Sequence, residues 1–318
     1  PPMFSPRTQI ALAFATLLAS LPSQTAAGTA PAAPVDTPRD RLRSEEYFGR
    51  GTIVEFRITL NDEARESLRK EPRKYVQARL SENGKEVGVV GVKLKGSAGS
   101  FQALDERPAL TINVDKFTPG LTVHGLGKFH LNNAAQDDTL LSDLFGSELF
   151  RAAGVPACRV THATFLLDDR EMGVYVVKEG FDARFLARNF GTTAGSLYDG
   201  GFCQEIDAEL EKDHGAADLR QDLQALVDAC RIRETGKRSK ALPTVLDLEA
   251  FVSFAALERM SVHWDGYVQS RNNYRLYFDP QGVGRFLPHG MDQLLGDAEA
   301  TVLSTPESLV GEIGRAHV

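Results

Sequence analysis

The chain has 318 residues, 42% of them hydrophobic and 25% charged, a globular makeup with more chain than one small core needs. Its formal net charge of −7 argues against nucleic-acid binding, which calls for a basic excess or stripe, and against a polybasic grip on membranes. Cys158, Cys203 and Cys230 form no CxxC pair, so neither a zinc site nor a disulfide framework is implied, and at most one bridge can form.

In chain order, Arg7, an apolar run over 10–21 and small residues over 25–30 have the layout of a secretory signal peptide, assigned to 1–30. That run is too short for a permanent membrane span, so no stable span is expected after cleavage. The two prolines before Met3 read as upstream read-through. Residues 31–47, rich in Ala, Pro and Thr and then in alternating charge, read as a flexible linker. From 51 the pattern turns to strands, with alternation over 52–60, one short helix at 63–70, and further strands at 74–80, 86–96, 109–114 and 128–133 separated by Gly, Pro and Asn turns. This predicts an antiparallel sheet over 51–133. Helical spacing of Leu140, Leu141, Leu144, Phe145, Leu149 and Phe150 predicts a helix over 138–153, stopped by Gly154 and Pro156. A hairpin over 160–167 and 172–178 follows, then helices over 182–190, 218–230 and 247–262. Strands return at 274–279 and 284–288. The basic run from Arg231 to Lys240 reads as a solvated loop between helices. The final "EIGRAHV", 312–318, reads as a non-native tail of a truncated reading frame. The expected class is α+β.

Five stretches carry candidate chemistry. "HWDGYVQSRNNYRLYFD" sets Asp265 a few residues before Asn272 and Asn273, between a helix and a strand. Phosphoryl transfer needs a carboxylate to orient the acceptor hydroxyl and oxygen ligands for a divalent cation, though Asp and Asn also build ordinary turns. "RFLPHGMDQLLGD" delivers Asp292 to a loop at the end of a strand, and a hairpin would carry it to the same sheet end as Asp265. It could equally be a loop acid or a helix cap. "VKLKGSAGSF" ends a strand in Gly96 and Ser97, where backbone amides can face a phosphate near Lys95 and, further on, Arg107, but a plain hairpin fits as well. Glu148 lies on the helix 138–153, and Glu179 stands where sheet gives way to helices.

Together and in this order, these stretches resemble the CotH (spore coat protein H) type of atypical kinase, over roughly 88–296. "KFHLNNAAQDDTLLSDLFGSELFRAAGVPA" and "MGVYVVKEGFDARFL" add to the resemblance. It implies a two-lobed, protein-kinase-like fold with a sheet-rich N-lobe over 48–179 and a helical C-lobe over 180–311, binding ATP and Mg²⁺ between them. Asp265 would be the catalytic acid, Asp292 the metal ligand, and Asn273 or Asn272 the amide ligand. Glu148 would hold the phosphate-binding cation, and Glu179 would begin the adenine-contacting hinge. Arg107 stands where the family has a lysine, with Lys95 the other candidate for the phosphate. The implied reaction is phosphoryl transfer to Ser/Thr hydroxyls of an envelope, surface or coat protein. A non-catalytic adhesion module on the same fold is the alternative, as is a kinase acting on a small molecule or glycan. Export poses its own question, because ATP is scarce outside the cytoplasm.

Overall fold

The computed structural model describes residues 36–49, 51–216, 220–296, 299 and 308–310. The signal-peptide and C-terminal-tail readings lie outside the described residues. Among the described residues no helix is long and apolar enough to cross a membrane.

The first helix, α1 (Pro38–Gly49), occupies most of the segment read as a linker. A capping box explains it. Thr37 Oγ1 accepts the Asp40 N–H at 3.1 Å and donates to the Asp40 carboxylate at 2.9 Å, with Pro38 as the first helical residue. Tyr47 then stacks on His124 with ring centroids 4.1 Å apart, which fastens α1 to the strands that follow.

Seven of those strands close a barrel. They are β1 (Val54–Thr59), β2 (Val76–Glu82), β3 (Lys85–Lys95), β4 (Ala109–Asn113), β5 (Lys128–Asn132), β6 (Val160–Leu167) and β7 (Arg170–Glu179). Their order is β1-β2-β3-β4-β5-β7-β6, with α2 (Asp62–Lys70) between β1 and β2. All neighbours are antiparallel except β6, which runs parallel to β1 and seals the seam. The antiparallel sheet expected over 51–133 supplies five strands of this closed barrel. Alternate residues point inward, and Phe56, Ile58, Val92, Ile112, Phe129 and Val177 are fully or almost fully buried there. Each such side chain contributes about 1.5–3 kcal/mol by leaving water.

Helix α3 (Ser142–Ala152) starts later than its apolar spacing predicts. The Asp137 carboxylate accepts the N–H groups of Thr139 and Ser142 at 3.1 and 2.9 Å, a local turn that competes with helix. The apolar face of α3 turns Phe150 away from the barrel into a second core. That core also takes Leu226 of α5 (Gln221–Cys230), Phe254 of α7 (Leu248–Met260), Tyr274 of β10 (Tyr274–Phe278) and Phe286 of β11 (Gly284–Pro288). Strands β10 and β11 belong to a four-stranded sheet, β11-β10-β8-β9, with β8 (Ser196–Asp199) and β9 (Glu211–His214). Helix α4 (Ala183–Phe190) packs Phe185 and Leu186 with Phe181, Leu197, Tyr277 and Leu287 in a smaller cluster. The basic run 231–240 is a loop only as far as 234: residues from 235 on form α6 (Thr235–Ala241), a helix with no buried residue. The class is α+β.

Phe129 is wholly buried and meets Phe56 at 5.3 Å between centroids, so Phe129→Ala should destabilise the fold by about 3–5 kcal/mol in a urea titration. A change below about 1 kcal/mol would mean the barrel interior is not packed as described.

Candidate active site

A cavity of about 310 Å³ is lined by Lys95, Ser97, Lys178, Asp265, Asn273 and Asp292, among others. Four segments meet there, and each is held by local chemistry.

The first segment is the end of β3. At Lys95 the chain leaves the sheet through Gly96 at φ +105°, where a Cβ would stand 2.9 Å from the Phe101 backbone nitrogen. The loop then folds on itself, with the Ser100 and Phe101 N–H groups donating to the Ser97 carbonyl at 3.1 and 2.9 Å. Gly96, Ser97, Ala98 and Ser100 line the cavity mouth.

The second segment follows α7. Val262, Arg271 and Asn273 all adopt positive φ, a conformation that persists in non-glycine residues only where surroundings enforce it. Buried Glu258 does much of the enforcing. Its carboxylate accepts the Tyr267 and Val268 N–H groups at 3.0 and 2.8 Å, capping the short helix α8 (Tyr267–Ser270), and leaves no room for a Cβ at Gly266. The Asp265 carboxylate is oriented by both asparagines: Asn272 Nδ2 donates to Oδ1 at 3.0 Å and Asn273 Nδ2 to Oδ2 at 2.7 Å. Their oxygens differ. Asn272 Oδ1 accepts the Cys203 N–H at 3.2 Å, whereas Asn273 Oδ1 accepts no hydrogen bond among the described residues and lies against Gly290.

The third segment, after β11, is stitched to the second. The β10–β11 register pairs Tyr274 with Pro288, the His289 N–H donates to the Asn273 carbonyl at 2.9 Å, and His263 Nε2 meets the His289 carbonyl at 3.0 Å. Asp265 and Asp292, distant in sequence, thus reach one cavity.

The fourth contribution is a buried ion pair. Lys178 of β7 donates to Asp143 of α3 at 2.5 Å, each side chain 3% exposed or less. Asp143 also accepts the Met291 N–H at 3.2 Å and Asn132 Nδ2 at 3.3 Å. It therefore braces the loop that carries Asp292. Burial opposes the charge on Lys178, but Asp143 and Asp292 raise its pKa. Burial, then the nearby Lys178 charge, lowers the Lys95 ammonium to about 8, and Lys95 donates to Asn132 Oδ1. Burial and the Asp143 carboxylate push Asp292 up, against the pull of Lys178 and Lys95. No side chain among the described residues donates to Asp292. Nor do the described residues bring together three or more His, Cys, Asp or Glu side chains able to hold a metal.

Three expected residues sit elsewhere. Glu148 is 61% exposed and pairs with Arg151 at 2.6 Å on the outer side of α3. Glu179 is buried between Arg159, at 2.7 Å, and Arg188, and its own N–H and that of Gly180 already donate to the Arg159 and Lys128 carbonyls. The Arg107 guanidinium donates to the carbonyls of Met172, Asn133 and Val174 at 3.3, 2.7 and 2.7 Å and lies over the Tyr175 ring. It straps loops onto β7 and is absent from the cavity wall, where Lys95 and Lys178 stand. Sequence reasoning passed over Lys178 and Asp143. A lysine at the end of the apolar run "VYVV" was a usable signal, because such a position demands a buried partner. Asp143 offered none, since an acid in the first turn of a helix is commonplace. All three cysteines are free, Cys158 and Cys230 buried and Cys203 exposed.

Asp143→Ala should cost about 3–5 kcal/mol in urea titrations, since it strands Lys178 without a partner. Glu148→Ala should stay within about 0.5 kcal/mol of wild type. Equal effects of the two would contradict the assignment of Asp143 as the bracing carboxylate.

Comparison with known proteins agrees with the resemblance. The curated relative "Invasin CotH7" of Rhizopus delemar is 22% identical over 196 residues, covering 56% of this chain and 33% of its own length. The chain thus spans about a third of that relative. The profile of the family described as CotH kinase protein matches residues 92–315, most of the chain and every segment of the cavity just described. The chain belongs to the CotH kinase protein family.

Proposed function

We propose that this chain is a kinase that transfers the γ-phosphoryl group of ATP, with Mg²⁺, to Ser/Thr hydroxyls of an envelope, surface or coat protein outside the cytoplasm. One observation carries the reading: Asp265 and Asp292 line the same cavity as Lys95 and Lys178. The two-lobed, kinase-like description of the fold belongs to the same proposal, with the barrel as one lobe and the second core as the other.

The residues present suit the ligands. Asp292 is an enclosed carboxylate without a side-chain donor, and Asn273 Oδ1 is an amide oxygen without one, a pair of hard oxygens of the kind Mg²⁺ takes alongside phosphate oxygens and water. Bound there, Mg²⁺ would neutralise charge on the phosphates. Lys95 and Lys178 supply the protein's own cations, and the Gly96–Ser100 loop admits a phosphate close to backbone. Asp265 stands at the acceptor side, its carboxylate fixed by two amides. It takes the proton of the acceptor hydroxyl as that oxygen bonds the γ-phosphorus and the bond to the β–γ bridging oxygen breaks, releasing ADP. Asn272 keeps Asp265 aimed and holds the 203 loop.

A second reading, a surface-binding module without catalysis, is favoured by the name invasin borne by the fungal relative. Melting curves separate the two. ATP with Mg²⁺ should stabilise the protein by about 2.7 kcal/mol at a hundred times Kd, and no stabilisation at millimolar nucleotide would leave only the module. Asp265→Asn should keep that stabilisation yet lower transfer to a Ser/Thr-rich acceptor by about 10²–10⁴-fold, whereas Asp292→Asn should remove its dependence on Mg²⁺. Transfer unchanged in Asp265→Asn would end the assignment.

Lys95 adds a pH signature. With its free-state pKa lowered to about 8, the amine is increasingly neutral above that pH and must take up a proton to meet a phosphate. ATP affinity should fall as pH rises above about 8, with proton uptake on binding seen by calorimetry at pH about 8.5 in buffers of different ionisation enthalpy. Lys95→Met should abolish the uptake; uptake that persists would assign the titration to another group.

A further inference from the structure

A second compartment of about 180 Å³ adjoins the first and shares Lys95, Asp199, Arg275 and His289 with it. Its barrel-side wall is a register row. Lys93 of β3 pairs with Thr111 of β4, Thr111 with His130 of β5, and His130 with Lys178 of β7, so these four side chains cross one barrel face in line. Lys93 lies in the second compartment and Lys178 in the first. Thr111 Oγ1 and His130 Nδ1 are 3.0 Å apart in the middle of the row.

The charge in this compartment is unbalanced. Arg73, Lys93, Lys95, Lys128 and Arg275 face Asp199, Glu211 and Asp213. Two of those acids are already taken, since Arg275 bonds Asp199 at 2.7 Å and Asp213 at 3.1 Å. Arg73 donates to the Leu94 and Gly96 carbonyls. Lys93, over the Tyr75 ring at 4.9 Å, and Lys128 form no close ion pair among the described residues, although Glu211 and Asp213 attract Lys93, and Asp182 attracts Lys128, at longer range. From the opposite wall His289 lines both compartments with a buried Nδ1 that has no hydrogen-bond partner. Burial, helped by Lys95, Lys178 and Arg275, keeps both His130 and His289 well below the usual imidazole range, so they remain neutral beside the cations. Leu94 borders the compartment but points its side chain into the barrel core, which leaves Phe181 as the apolar side chain at the wall. A flat, uncharged base would find almost no apolar face here, while a multivalent oxyanion would meet five cations set against three carboxylates, two of which Arg275 already engages.

We propose that this compartment is a subsite for a phosphate-class oxyanion, continuous with the cleft that holds Asp265 and Asp292. Binding there does not depend on catalysis; only the origin of the anion rests on the phosphoryl-transfer reading. It is either an additional phosphate of an extended donor chain or a phosphate already present on the acceptor.

The test is calorimetric titration of the full chain with pyrophosphate in the absence of Mg²⁺. Binding should weaken with added salt, and Lys93→Met and Lys128→Gln should each weaken it on the order of tenfold. Lys93→Met keeps the aliphatic stem on Tyr75, and an unchanged melting midpoint in each variant separates lost binding from lost fold. Absence of pyrophosphate binding, or equal affinity in both variants and wild type, overturns the subsite. If pyrophosphate binds as expected while ATP with Mg²⁺ gives no stabilisation, the kinase reading fails and the subsite stands. Two further titrations identify the source: tripolyphosphate that competes with ATP places the anion on the donor, and a phosphoserine peptide that binds alongside ATP places it on the acceptor.

Discussion

The ion pair between Lys178 and Asp143 joins the parts of this protein that must cooperate. Lys178 comes from a barrel strand, Asp143 from the helix that packs into the second core, and the Met291 amide bonded to Asp143 from the loop bearing Asp292. A charge pair this deeply enclosed is tolerated only when each partner is also hydrogen-bonded, because desolvation otherwise outweighs attraction. Asp143 meets that condition with an ammonium, an amide N–H and the Asn132 side chain. The barrel, the helix and the loop of Asp292 are thereby set to one another with little slack.

The loop of Asp265 is organised by similar means. Glu258, buried on α7, caps the turn after Asp265, while Asn272 and Asn273 fix the carboxylate itself. Two adjacent asparagines therefore do different work. Asn272 ties Asp265 to the loop at Cys203, and Asn273 leaves its oxygen turned toward the Gly290 turn that precedes Asp292. The strained backbone at Arg271 and Asn273 persists because hydrogen bonds on either side hold it. The row from Lys93 through Thr111 and His130 to Lys178 then continues the cleft sideways along the barrel.

Much of this was readable in the chain. Alternation announced β1, apolar runs bounded by turn residues announced the other barrel strands, and the helical spacing of α5 and α7 was equally plain, since burial on one face writes a period into sequence. The elements that escaped notice lack that period. β9, "EKDH", is a charged edge strand held by its ladder to β8 and by polar side-chain bonds such as Asp213 to Arg275, and α6 buries nothing. The helix α1 was misread as a linker although its capping box, Thr37 to Asp40, was present, because low apolar content masked it. Among site residues, Asp265, Asp292, Asn272, Asn273, Lys95, Gly96 and Ser97 share one cavity. Glu148, Glu179 and Arg107 do not, each being committed to an ion pair or to carbonyls that lie far off in sequence.

The sequence by itself determined the local elements, the α+β class, and the two loops bearing acids and amides, because periodicity, caps and turns act over a few residues. Only the tertiary structure decided that the sheet closes through a parallel β1–β6 seam, that α3 faces a second core, and that Lys178 rather than Arg107 stands in the cleft. Those outcomes depend on which distant groups can satisfy one another once water is excluded. A buried charge chooses its partner by geometry, and the order of residues along the chain does not contain that geometry.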